Sequence, residues 1–186
     1  MTLLCVGGSL RPGSLSTAVL HQAVALARAA GAEAGVFTVR DLPSLLEPGT
    51  TSRREPGVAR LETLVAAATS LLVITPIYGG TPSGGVKNLL DTMHLFKDGD
   101  VGALAGRRVV VGAVGGGAIA GSYEYQPGAT VTLEIACQHL GAWVSPRHIE
   151  FSELAFAPTG ELLDPISRDA LRCAVHGLLA PRVVAP

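Results

Sequence analysis

"TLLCVGGSLRPGSLST", residues 2–17, changes character halfway along. Residues 2–6 are an apolar run short enough for one buried strand. Residues 7–17 then hold three glycines, a proline, four hydroxyl side chains and one arginine. A helical pattern follows at once, with Leu15, Val19, Ala23, Leu26 and Ala30 on one face and Gly31 as its stop. Strand, Gly/Ser turn and helix in immediate succession is a unit whose helix N-terminus presents unpaired N–H groups.

The same alternation runs through the chain. Residues 34–39 read as a second strand, 57–68 as a helix, and 70–75 (SLLVIT) as a strand buried on both faces. Residues 43–56, with prolines, Gly49 and a Thr/Ser/Arg cluster, read as a surface loop. A helix is expected at 85–96, a fourth strand at 107–114, a helix at 128–140, a short fifth strand within 142–150 and a last helix at 165–179. Continuous apolar strands separated by helices predict a single α/β domain over residues 1–186, with a parallel sheet covered on both faces. Ligands of such sheets bind beyond the carboxyl ends of the strands. Three Gly-rich turns fall there: 7–17, 76–85 and 115–121.

Composition narrows the class. The 186 residues are 48% hydrophobic and 16% charged with formal net charge −1, which suits a globular core and gives no basic surface for nucleic acid or acidic membrane. Arginine greatly outnumbers lysine, which we read as genome composition. Cys5, Cys137 and Cys173 form no spaced set, and Cys5 and Cys137 read as core. With no signal-peptide pattern and no apolar stretch of ~20 residues, a cytoplasmic protein is expected. The five histidines lack metal-ligand spacing, "KDGD" at 97–100 lacks the rest of a calcium loop, and no G-x-S-x-G elbow is present. No metal site is expected. Trp143 is expected to pack at the start of the fifth strand.

The first turn reads as an anion site. The helix N-terminus favours negative charge. Ser9, Ser14, Ser16 and Thr17 add hydroxyl donors, and Arg11 adds a guanidinium able to grip two phosphate oxygens. The lysine of a nucleotide P-loop is missing, and neither Gly7, Gly8 and Gly13 nor "GGGAIAG" at 115–121 makes G-x-G-x-x-G. One phosphate monoester fits better than a triphosphate. The competing reading is a turn with an N-cap serine and a surface arginine. In the second turn Tyr78 offers an aromatic face, while Gly79 and Gly80 allow close backbone approach. The three glycines 115–117 make a shelf without side chains. A planar aromatic group carrying one phosphate is the implied ligand, and FMN has that shape.

These segments carry a family resemblance. "GSLRPGSLS" (8–16) and "TPIYGGTPSGGVKNLLD" (75–91), with "LAGRRVVVGAVGGG" (104–117), resemble the three flavin loops of the NADPH-dependent FMN reductases, in order, over about residues 3–145. The resemblance implies a flavodoxin-like, three-layer doubly wound fold with a five-stranded parallel sheet in the order 2-1-3-4-5. It implies FMN and NADPH or NADH as cofactors. Ser9, Arg11, Ser14, Ser16 and Thr17 would meet the phosphate. Pro76, Ile77, Tyr78 and Gly79 would line the isoalloxazine, with Gly115, Gly116 and Gly117 at its other edge. Lys87 and Asp91 would be scaffold on the helix after the second loop.

"SYEYQPG" (122–128) departs from the family pattern where a helix usually begins. Pro127 predicts a late helix start, with Tyr123 or Tyr125 near the flavin. The activity implied is hydride transfer from NAD(P)H to FMN with no obligatory catalytic side chain. Reduced flavin would go to a partner monooxygenase, or bound FMN would reduce quinones or azo compounds. An electron carrier or a non-redox binding module are the readings of another class. A homodimer or homotetramer is expected.

Overall fold

A computed structural model describes residues 2–42, 45–47, 50–115 and 128–181. Strands β1 (Thr2–Gly7), β2 (Glu33–Thr38), β3 (Ser70–Tyr78), β4 (Thr81–Pro82), β5 (Arg108–Gly115), β6 (Trp143–Val144) and β7 (Ile149–Ser152) alternate with helices α1 (Leu15–Ala29), α2 (Pro56–Ala67), α3 (Gly84–Met93), α4 (Gly128–His139) and α5 (Pro165–Leu179). The sheet order is β2-β1-β3-β5-β6, and every pairing along this path is parallel. The expected doubly wound arrangement is present.

Its numbering differs from the expected 2-1-3-4-5 for two reasons. A two-residue strand, β4, folds back on β3 in antiparallel pairing and takes the fourth place in the chain. The fifth position of the sheet is split, since β6 pairs Arg108 and Val109 while β7 pairs Gly112 to Gly115. Pro146 lies in the gap, where its missing N–H cannot continue the ladder.

Period-two alternation sorts the strands' side chains into two cores. Leu4, Val6, Leu71, Val73, Val109 and Val111 meet α2, α3 and α4 on one face. Leu3, Cys5, Leu72, Ile74, Val110 and Val114 meet α1 and α5 on the other. Cys5 and Cys137 are fully buried, one in each layer, and desolvation pushes both thiols up to about 12.

One expectation fails here. Trp143 is 57% exposed. Alternation sends Val144 into the core and turns Trp143 outward at the sheet edge, beside Ile166 and Cys173 of α5, along an open groove of about 1150 Å³. All but Lys87 and Lys97 of the 14 basic side chains are arginines, and two adjacent ones tie down opposite layers. Arg107 donates to the carbonyls of Val65, Ala66 and Ala68 at the end of α2. Arg108 donates to those of Gly177, Leu178 and Ala180 at the end of α5. Forked, always-charged donors suit the unpaired carbonyls of a helix C-terminus.

Candidate functional site

The first turn leaves β1 through two glycines in the left-handed region, Gly7 at φ 123° and Gly8 at φ 80°. Both are required. A Cβ on Gly7 would lie 2.0 Å from the Ile74 carbonyl oxygen, and one on Gly8 2.6 Å from Thr17 Oγ1. The Gly8 N–H donates to that same Ile74 oxygen (2.9 Å), which pins the turn to β3.

Beyond the glycines the predicted residues converge. Ser9 is 5% exposed. Its N–H donates to Thr17 Oγ1 (3.3 Å), and its Oγ accepts the Arg11 N–H (3.2 Å). Thr17 therefore holds the loop by accepting a bond. Ser14 and Ser16 share a hydrogen bond of 2.8 Å, both buried. The Arg11 side chain is exposed and has no ion pair among the described residues.

Ser14 is the N-cap of α1, yet its side chain makes no cap hydrogen bond. Serines at this position ordinarily accept from the first-turn N–H groups. Here the hydroxyl turns to Ser16 instead, so the N–H donors of the first turn receive no cap from Ser14. A phosphate monoester matches that donor set.

The second turn is a hairpin. Tyr78 pairs with Thr81 across Gly79 and Gly80, both at positive φ (57° and 78°), as a type I′ turn requires. Thr81 Oγ1 donates to the Tyr78 carbonyl (2.9 Å). Tyr78 is 56% exposed, and its hydroxyl lies 3.4 Å from Ser9 Oγ. The residue expected against a planar ring thus also touches the first turn. Pro76 and Ile77 are half-buried on the same strand end.

The third turn begins at Gly115. A Cβ there would lie 2.9 Å from Ile77 Cδ1, so Gly115 lets Ile77 close against the end of β5. Gly116, Gly117, Tyr123, Tyr125 and Pro127 lie outside the described residues. Within the described residues α4 runs from Gly128, and the late start expected from Pro127 falls outside them. The Gly128 Cα sits against the hairpin, where a Cβ would lie 2.7 Å from the Gly80 carbonyl oxygen. The hairpin is held between the first turn and the start of α4.

Three contributors were not singled out from the sequence. Ser83 caps α3 by accepting from the Val86 N–H (3.3 Å), and its own N–H donates to buried Thr75 Oγ1 (2.9 Å). Gly128 is the third. A serine just before a helical pattern is a readable cap signal, whereas the need for Gly128 depends on a distant hairpin. Lys87 and Asp91 form an exposed i,i+4 ion pair on α3, consistent with scaffold.

The chain matches the profile of the NADPH-dependent FMN reductases over residues 1–152. It belongs to that family. An FMN reductase (NADPH) of Pseudomonas putida is 36% identical over 95 residues, which is 50% of this chain and 47% of that protein. The alignment thus spans about half the length of this curated relative. Among solved structures, the flavoenzyme NAD(P)H:(acceptor) oxidoreductase FerB from Paracoccus denitrificans superposes with a TM-score of 0.69 at 22% identity, covering 96% of this chain and 94% of that one. A flavodoxin from Pseudomonas aeruginosa gives 0.65 at 16% identity over 97% of this chain and 100% of the other. These two likenesses show the flavodoxin-like fold.

Proposed function

We propose that this member of the family reduces FMN at the expense of NADPH. The observation that carries the reading is the α1 N-terminus, whose cap serine leaves the first-turn donors to an anion. Ser9, Arg11, Ser14 and Ser16 would hold the flavin phosphate, with Thr17 fixing the loop. Pro76, Ile77, Tyr78, Gly79 and Gly115 would line the isoalloxazine, joined by Gly116 and Gly117. When bound, the flavin supplies the redox centre that takes hydride from the nicotinamide. The chain's part is to orient that ring and to stabilise charge on it through backbone N–H groups.

The acceptor is decided by one assay. NADPH oxidation is followed under air while free FMN is titrated with no other acceptor. A rate that climbs and saturates with FMN makes flavin the substrate and points to a partner monooxygenase as its user. A rate that stays flat once the site is filled makes FMN a resident cofactor and quinones or azo compounds the acceptors. Replacing NADPH by NADH in the same assay sets the donor. Loss of the Arg11 guanidinium in Arg11→Ala is expected to weaken FMN by about 1.5–3 kcal/mol, the range for a hydrogen bond to a charged group; unchanged affinity removes Arg11 from the phosphate.

Self-association is proposed through α4. Val131 and Ile135, one turn apart on that helix, are 39% and 52% exposed, an apolar stripe suited to a second copy. Light scattering is expected to give a dimer or tetramer. No helix among the described residues is long and apolar enough to cross a membrane.

A further inference from the structure

The hydroxyl of Tyr78 reaches across 69 positions of sequence to Ser9. A hydroxyl has one proton and two acceptor sites. One acceptor site of Ser9 Oγ is already filled by the Arg11 N–H at 3.2 Å. Ser9 is 5% exposed, so its remaining partners come from the protein or from a ligand in the turn. If Tyr78 donates into the second acceptor site, the Ser9 proton is left for a third partner, which a ligand at the first turn can supply. The two oxygens stand 3.4 Å apart, longer than the ~2.7–2.8 Å common for such pairs. Drawing charge onto Ser9 from an anion beyond it would tighten the chain of bonds.

The Tyr78 backbone is poorly free to follow any other course. It is fixed by the Gly79–Gly80 turn, by the Thr81 hydroxyl on its carbonyl and by Gly128 against Gly80. The hydroxyl is thereby kept beside Ser9 at the first turn.

We propose that Tyr78 is a positioning residue that acts through Ser9, aiming the serine's proton at the ligand's phosphate and so making the site select flavins that carry a terminal phosphate. The inference rests on the flavin reading given above.

The test compares FMN with riboflavin, which has the ring but no phosphate, by quenching of flavin fluorescence on titration with protein. Tyr78→Phe keeps the ring and removes the hydroxyl. The preference for FMN over riboflavin is expected to fall about fivefold, the effect of one modest hydrogen bond, with the urea midpoint as the check of folding. In Ser9→Ala the same tyrosine change is expected to have no further effect on FMN, because the intermediary is gone. Equal losses for FMN and riboflavin in Tyr78→Phe would overturn the proposal, since the hydroxyl would then act on the ring. Additive losses in the double variant would overturn it too. If the unaltered protein binds riboflavin and FMN alike, phosphate selection itself is wrong; if it binds neither, the flavin reading falls with it.

Discussion

Two helices of this protein start alike and end up with different work. α1 and α3 both follow a Gly-rich turn at the carboxyl end of a sheet strand, and both have a buried serine at the N-cap. Ser83 closes its helix by accepting from Val86, and is itself held by Thr75. Ser14 makes no such bond and pairs with Ser16. The glycines differ in the same sense. Gly7 and Gly8 are pressed against Ile74 and Thr17, while Gly84 has nothing within 4 Å and Gly85 meets only Val39, at ordinary contact distance. One turn is built tightly around an open helix end, the other loosely around a closed one. A cap residue's identity thus says little about its role until its hydrogen-bond partner is known.

The contrast is broken most violently at the glycines. Gly7→Ala would combine a positive φ with a Cβ 2.0 Å from a backbone oxygen, and is expected to cost about 3 kcal/mol or more. Gly84→Ala should gain about 0.4–1 kcal/mol by restricting the unfolded chain. Urea midpoints of the two variants read both signs. A mild loss in Gly7→Ala would mean that the β1–β3 approach can relax.

The serines sharpen the comparison. Ser83→Ala is expected to lower stability by about 1 kcal/mol with FMN affinity intact. Ser14→Ala removes the partner of buried Ser16, so it should cost about 1 kcal/mol of stability as well, but unlike Ser83→Ala it should also weaken FMN about tenfold, as loss of a bond to a charged oxygen does. Chemical denaturation and flavin titration on both proteins separate the roles. If both variants lose stability alone, the two helix ends are equivalent.

The smallest effect comes from a third helix end. Asp164 caps α5 by accepting from the Ser167 N–H (2.7 Å). The hydrogen bonds from the Ser167 side chain and backbone, the former larger, hold its carboxyl below the usual range. Because the folded value is depressed, this cap contributes above the unfolded pKa of ~3.9 and is lost as the pH falls through the lower folded value. Stability of Asp164→Asn should therefore decline less steeply than that of the unaltered protein in acid, and urea midpoints at pH 7, 4 and 3 would show it. Parallel curves would assign the acid response to other carboxylates.

What could be read from the chain alone follows from the range of the interactions. The helices and main strands are local patterns, and SLLVIT or RVVVGAV announce buried strands by composition. The turn at 7–17 was legible because its glycines, hydroxyls and arginine are neighbours. The split fifth strand was not, since β6 and β7 are defined by register against β5. Trp143 faces outward because its two-residue strand takes its register from β5, which gives the inward place to Val144. Arg107 and Arg108 bind carbonyls some 40 and 70 positions away, a relation no window on the sequence displays. The Tyr78–Ser9 contact and the fit of Gly128 under Gly80 belong to the same class.

The broken fifth strand also bears on what the edge of this sheet can pair with. Open strand edges invite growth by further strand pairing, and proteins block them with prolines and charged side chains. Here one border of the sheet is interrupted at Pro146, between β6 and β7. At the opposite border, the Arg28 guanidinium occupies the Ala34 carbonyl of β2 (2.8 Å). Neither border offers a long template for cross-strand polymerisation, so the sheet is poorly suited to grow by adding strands from a second molecule.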